Sequence, residues 1–575
     1  MLSRFAVLAA GIWLLPVLFP AEPAQDSPGQ APQNQPEMSQ RDEPATFQAH
    51  VNLVMVPVVV RDRQGRAVDG LRQQDFQLFD KNKPQEITRF SVEKRPASGA
   101  LEVMATGKSP TQSENGVPAG MADRFVAYLF DDVHARFGDL ARARDAAMRH
   151  MSDQLRTGDR VAVFTTSGQV MQDFTDDLEK VHAALALLKP RPIARPVTQQ
   201  CPDISYFMAD MIVNKNDPMA IAAATTEVMV CGAMDSTMRQ QAQQMAIAEA
   251  NTRLSEGDHE TRVSLSVVRD VVRQMAGMPG ERVLVLVSPG FLTLVEHRQE
   301  VTDLLDRAIR GNVVVNAINL LGLAIPGFDV SQRMITQGSQ RLKDQYASMS
   351  AIADEDVLVE LTAGTGGMFF HNNNDLDEGL RRAASAPEVY YLLGFSPQNL
   401  KLDGSFHALR VALKTPPADT SLVARKGYYA PRHLESAEEN AKREIEEALF
   451  SREELNDMPV ELHTQFFKPT EQTANVAVLA HLDFRHIKFR KADGRNMDNL
   501  TVVTGLFDRN GKFVTGLTKK IEFRLLDQTL ERRLAQGITV RSNLDVKPGT
   551  YMVRLVVRDS EGQQMAAQNG SVFIP

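Results

Sequence analysis

Aromatic side chains that could stack on sugars are scarce: one Trp and eight Tyr in 575 residues argue against a carbohydrate-binding surface built on ring stacking. A basic excess is also absent. The formal net charge is −8, and no basic patch is interleaved with aromatics, so nucleic acid is not an expected partner. The common catalytic motifs are missing: there is no nucleophile elbow, no H-E-x-x-H and no phosphate loop. His297, His371 and His407 are scattered, so no second catalytic histidine stands near a candidate strand end. An enzyme is therefore the least supported class.

The only long apolar run is N-terminal. "MLSRFAVLAAGIWLLPVLFPAEPAQ" has a positive n-region at Arg4 and an apolar stretch from Phe5 to Phe19, which fits a signal peptide and is short for a spanning helix. The small-residue cleavage pattern is poor around Ala21 and Ala24, so an uncleaved anchor, the one membrane contact foreseen, is the alternative. No Cys follows the run, which excludes a lipoprotein. The chain is expected to be exported: periplasmic, associated with the cell envelope, or secreted. The two cysteines, Cys201 and Cys231, then form an even pair and suggest a disulfide; two buried thiols are the alternative.

The pattern divides the chain as follows: residues 1–24 signal or anchor, 25–45 disordered linker, 46–95 β-rich, 96–123 linker, 124–432 strand–helix alternation with a 190–280 insertion, 433–458 charged helical connector, and 459–575 C-terminal β-sandwich-like domain. Val54, Val56, Val58 and Val60 alternate as in a half-buried strand. The spacing D-x-x-G-x-x-V-x-G-L occurs at 59–71 and again at 505–517, a hairpin turn at both ends of the chain. From Arg124 onward, continuous apolar runs alternate with helical periodicity, which predicts a parallel sheet covered on both faces. Thr175 is a plausible N-cap, and residues 322–350 read as a polar loop.

Several segments carry a family resemblance. "DRVAVFTTSGQVMQDFTDD", "ERVLVLVSPGF" and "LTAGTGGMFF" resemble the core of a von Willebrand factor A domain. Together with "LVMVPVVVRDRQGRAVDGLRQQDFQLFDKNKPQEITRF", the two-cysteine segment 201–231, "YYLLGFSP" and "ARKGYYAP", they make most of residues 50–432 similar to bacterial, acidobacterial-type VWFA-related proteins. The resemblance implies an α/β fold: a doubly wound, mostly parallel sheet of Rossmann type, flanked by β-sandwich-like segments. Such sheets bind ligands beyond the carboxyl ends of their strands. In A domains that position holds a divalent cation through D-x-S-x-S, a Thr and a further Asp.

The sequence departs from that motif in "RFVAYLFDDVHARF". With Asp131 as the first ligand, Val133 and Ala135 stand where the serines belong; with Asp132, His134 and Arg136 do. Pro289 in "SPG" replaces the later acid, and the Thr is not located. No cofactor is certain. Asp131, Asp132 and His134 remain candidate ligands for Mg²⁺ or Mn²⁺, or for Zn²⁺ through His134. Alternatively, the acids cap neighbouring elements, pair with Arg136 and Arg142, or touch a partner directly. The function that follows is an exported protein-binding or adhesion module recognising a protein partner at this sheet edge. An envelope assembly or accessory factor is the alternative, and a metal-dependent hydrolase comes last.

Overall fold

The structure, a computed structural model, describes residues 36–44, 54–63, 67–94, 122, 124–154, 158–193, 201–323, 337–385, 389–395, 397, 405–416, 420–430, 437–451 and 454–575. The N-terminal apolar run and most of the 96–123 linker lie outside these residues.

A six-stranded sheet occupies the middle of the chain. Its strands are β1 (Arg124–Phe130), β2 (Asp159–Thr165), β3 (Met171–Thr175), β4 (Glu281–Ser288), β5 (Val313–Asn319) and β6 (Phe369–Phe370), in the order β6-β5-β4-β1-β2-β3. Every neighbouring pair is parallel except β2 with β3. The seven residues of β1 are all buried, because alternate side chains enter separate cores. Phe125, Ala127 and Leu129 pack with helices α5 (Arg239–Ala276), α6 (Arg298–Arg310) and α7 (Gln337–Thr365). Val126, Tyr128 and Phe130 pack with α1 (Phe137–Gln154), α2 (Leu178–Ala186) and α8 (Leu376–Ala383). Each buried large apolar side chain contributes roughly 1.5–3 kcal/mol, so an uninterrupted apolar strand is stable only between two such layers.

Cys201 and Cys231 are disulfide-bonded, with Cα atoms 6.2 Å apart. They bracket α3 (Tyr206–Val213) and α4 (Pro218–Cys231). The 190–280 insertion is narrower than its sequence boundaries. Ala242, Ala246 and Ala250 of α5 pack on α3 and α4, whereas Leu265, Val268, Val272 and Met275 of the same helix cover the central sheet. The polar loop expected at 322–350 is also revised, since α7 begins at Gln337 and buries Tyr346 in the insertion core. One buried aromatic outweighs the polar composition around it.

Two boundaries move more substantially. Strands Val54–Arg61 and Arg89–Lys94 pair with Val389–Phe395, while Phe76–Asp80 pairs with Phe406–Leu413. The two sheets share one core, in which Val56 and Val58 meet Tyr391 and Leu393. Residues 389–429 therefore belong with the N-terminal β segment, not with the central sheet to which the 124–432 boundary assigned them. Residues 38–44 do not form a disordered linker: Met38–Pro44 is an edge strand paired with 517–523 and held by Asp42–Lys519 and Glu43–Lys520 ion pairs at 2.7 and 3.1 Å.

The C-terminal domain stacks a seven-stranded sheet on a three-stranded one. Its outer face is covered by α9 (Ala437–Phe450), whose Ile445, Ala448 and Leu449 are buried, so the charged "connector" is part of a core. Among the described residues no helix is long and apolar enough to cross a membrane.

Candidate functional site

Parallel strands deliver their carboxyl ends to one edge. β4, β1 and β2 are neighbours there, so the residues following each of them meet. The backbone fixes the junction: Asp131 N donates to Val287 O at 2.9 Å, and Thr166 N donates to Phe130 O at 3.0 Å. Asp131, Asp132, Thr166 and Ser288 are all essentially fully buried.

A buried carboxylate needs donors, and these have them. Asp131 Oδ1 accepts from Thr166 Oγ1 at 2.8 Å and His134 N at 3.1 Å. Asp131 Oδ2 accepts from Ser288 Oγ at 2.6 Å. His134 Nδ1 lies 3.0 Å from both oxygens. Asp132 accepts from Ser167 N at 2.8 Å and Ser167 Oγ at 2.6 Å, with Thr166 Oγ1 a further 3.2 Å contact. Thr166 has a single hydroxyl proton, and the shorter contact assigns it to Asp131.

The His134 ring stacks on buried Phe291, with centroids 5.2 Å apart and planes 17° from parallel. Burial pushes the Asp131 carboxyl up, but the His134 cation and the hydrogen bonds from His134 and Ser288 outweigh it and hold the group below its ordinary value. Burial likewise pushes His134 down, and Asp131, helped by Glu260 and Asp354, raises it above its ordinary value. Asp354 on α7 is pushed up to about 6 by burial, against the pull of Ser350 and His134. Both shifts favour the imidazolium–carboxylate form of the pair.

The Ser288-Pro289-Gly290 loop closes the edge. Ser288 Oγ accepts from Gly290 N at 2.9 Å. Gly290 adopts φ +92°, and a side chain there would collide with Asp354 O of α7, so only glycine fits. Pro289 therefore stands in a loop that packs onto a helix, where an A domain would supply an acid.

The residues present do not fit a divalent cation. Such an ion needs about six oxygen lone pairs turned toward it, whereas both carboxylates already carry protein donors and Nδ1 of His134 is engaged by Asp131. Among the described residues, no three His, Cys, Asp or Glu side chains converge as metal ligands. The expected ion pairs to arginine are not formed either: Arg136 is exposed, and Arg142 pairs with Asp139 at 2.7 Å. Thr175 is not the cap of α2; Asp177 is, accepting from Glu179 N and Lys180 N, while Thr175 Oγ1 accepts from Asp177 N. The sequence reading missed Thr166, Ser167, Phe291 and Asp354. The "TTSG" run after β2 was the available signal, since hydroxyls at a strand's carboxyl end suit a buried acid.

No family model matches the chain, and no curated protein matches it. Among solved structures it is similar to an aerotolerance-related membrane protein from Bacteroides fragilis, at 11% identity over 45% of this chain and 96% of that one, with a TM-score of 0.22. BatB from Bacteroides thetaiotaomicron matches at 12% identity over 46% of this chain and all of that one, with a TM-score of 0.20. A beta-glucuronidase from Bacteroides uniformis matches at 10% identity over 34% of this chain and 20% of that one, with a TM-score of 0.14. At such scores the likenesses decide neither activity nor partner, and the mixed α/β architecture rests on the strands and helices described above.

Proposed function

We propose that the chain is an exported protein-binding module built on a von Willebrand factor A-like, doubly wound sheet whose carboxyl edge works without a divalent ion. The observation that carries this reading is His134 Nδ1 lying 3.0 Å from both oxygens of Asp131. It supplies within the chain the positive charge that a bound metal would otherwise bring. Strand order and helices on both faces support the A-like assignment, as does the sequence resemblance. The Cys201–Cys231 bond supports export, because disulfides persist in oxidising compartments.

The acids act as organisers. They are buried, so a partner meets the loops and helices they hold in place. An enzymatic role has less support: the Thr166 and Ser288 hydroxyls and Asp131, the base they face, are all fully buried, out of a substrate's reach.

The test is chemical cross-linking of the full chain to envelope extract in chelator and in Mg²⁺ or Mn²⁺, beside thermal scans in the same buffers. Equal capture and an unmoved unfolding midpoint are expected. Capture that needs the ion, or a midpoint raised by millimolar Mg²⁺, Mn²⁺ or Zn²⁺, overturns the metal-free reading. No partner in any buffer overturns the binding module.

A further inference from the structure

One face of α7 is apolar and uncovered. Met349 is 40% exposed, Ile352 69% and Val359 45%, while Leu358 on the other side is buried in the central core. Steps of three and seven residues place the three side chains in one line along the helix, the spacing by which helices dock on one another. Val295, 76% exposed, extends the line sideways. Its segment approaches α7 at Gly290, against Asp354 O, and at the Arg298–Glu360 ion pair at 2.7 Å, and it meets α5 where Thr261 Oγ1 donates to Leu292 O at 2.9 Å.

The stripe also carries charge. Asp356 lies between Ile352 and Val359, Glu296 follows Val295, and both are exposed. Among the described residues neither takes part in an ion pair or a hydrogen bond. A second copy of this chain is a poor occupant. A parallel pairing of two α7 faces sets Asp356 against itself, and an antiparallel one sets it against Ile352, so the carboxylate is unpaired in both. A helix with a cation in its apolar seam satisfies it, in the way one polar seam position selects a partner.

We propose that the Met349–Ile352–Val359 face of α7, with Val295 beside it, docks an amphipathic helix of a partner protein whose apolar side carries a Lys or Arg opposite Asp356. This names the partner class for the protein-binding reading and rests on it.

The probe is a labelled synthetic amphipathic helix of about three heptads, with leucines at stripe spacing and one central Lys, titrated into the full chain by fluorescence anisotropy. A second peptide carries Glu in place of the Lys. The Lys peptide is expected to bind at least about tenfold more tightly than the Glu peptide. Asp356→Lys should reverse that preference. Ile352→Ser with Val359→Ser should weaken the Lys peptide at least about tenfold while leaving circular dichroism and the unfolding midpoint in place, since both side chains are exposed. Equal affinity for the two peptides, no binding of either, or binding untouched by the double substitution overturns the proposal. So does self-association of the wild type that Ile352→Ser abolishes, which assigns the face to a second copy. If envelope capture persists in the double variant, this proposal fails and the binding module stands; if capture is absent in wild type, the module itself fails.

Discussion

The two ends of the central sheet bury opposite charges and satisfy them differently. At the amino edge, Arg124 opens β1, and Arg160 and Arg282 are the second residues of β2 and β4; all three are buried. Arg124 faces Asp159 and Glu281 and donates to Ala384 O. Arg160 donates to Asn510 Oδ1 at 3.1 Å and Arg509 O at 3.3 Å, in the turn of the C-terminal domain. Arg282 donates to Met278 O, Gly311 O and Phe450 O, each at 2.6 Å. At the carboxyl edge, Asp131 follows β1, Thr166 follows β2 and Ser288 closes β4, and the partners all come from these neighbouring strand ends and their loops. Guanidinium groups with several donors suit reaching outward to carbonyls of other segments. The amino edge is where the chain is joined to itself, and the carboxyl edge is closed within its own domain. Hence the proposed partner is placed at the carboxyl edge.

The largest test of that contrast is Asp131→Ala. It leaves a buried imidazolium and two hydroxyls without their acceptor, and urea unfolding should show a loss of about 3–5 kcal/mol. A loss under about 1 kcal/mol would mean that water reaches this edge and that the two ends do not differ as described. Next is Arg282→Met, which orphans three buried carbonyls for about 2–3 kcal/mol. Hydrogen exchange should show α9 losing protection, because Phe450 O is its last carbonyl, while the carboxyl-edge loops keep theirs.

His134→Gln should be smaller and pH-dependent. His134 is raised above 6.5 in the fold, so its stabilisation is complete below that pH and is lost as pH rises through the folded value. Asp131 is held below 3.8, so its share is present above that pH and is lost as pH falls through the folded value. The cost of His134→Gln, from urea midpoints, should therefore be larger at about pH 5 than at about pH 9. A pH-independent cost would mean that the ring is neutral. Asp354, pushed up to about 6, adds to the loss of fold stability with rising pH: its own cost grows as pH rises from 3.8 toward that value. Smallest is Arg509→Ala, which removes an exposed 2.8 Å pair with Asp176 and should cost at most about 1 kcal/mol.

The sheet was readable because its strands are buried on both faces and bounded by helical periodicity. The carboxyl edge was readable because two acids end an apolar run. Thr166 and Ser288 were not readable as their partners, since they lie 35 and 157 residues from Asp131 and only the strand order brings them there. Residues 389–395 were misplaced because an apolar run suits an A-like sheet and a sandwich equally, and register alone decides. Residues 38–44 have no apolar alternation at all; their strand exists through backbone pairing and lysines more than 470 positions away.

The repeated hairpin turn looked purely local in sequence. In the fold, Gly511 (φ +78°) lies against Phe125 where a side chain would clash, and Arg509 and Asn510 meet the amino edge. The same edge holds Arg124 on Ala384, the two ends of the central domain. That contact bears on the order of events as the chain emerges. The strand ending at Lys94 must wait for Val389 before it can pair. If the intervening domain folds first and brings its ends together, the loop to be closed shrinks from about 300 residues to about 35, worth roughly 2 kcal/mol in closure entropy. The sandwich is therefore expected to form last around a finished insert, and until then its earliest strands travel as unpaired edges that need shelter.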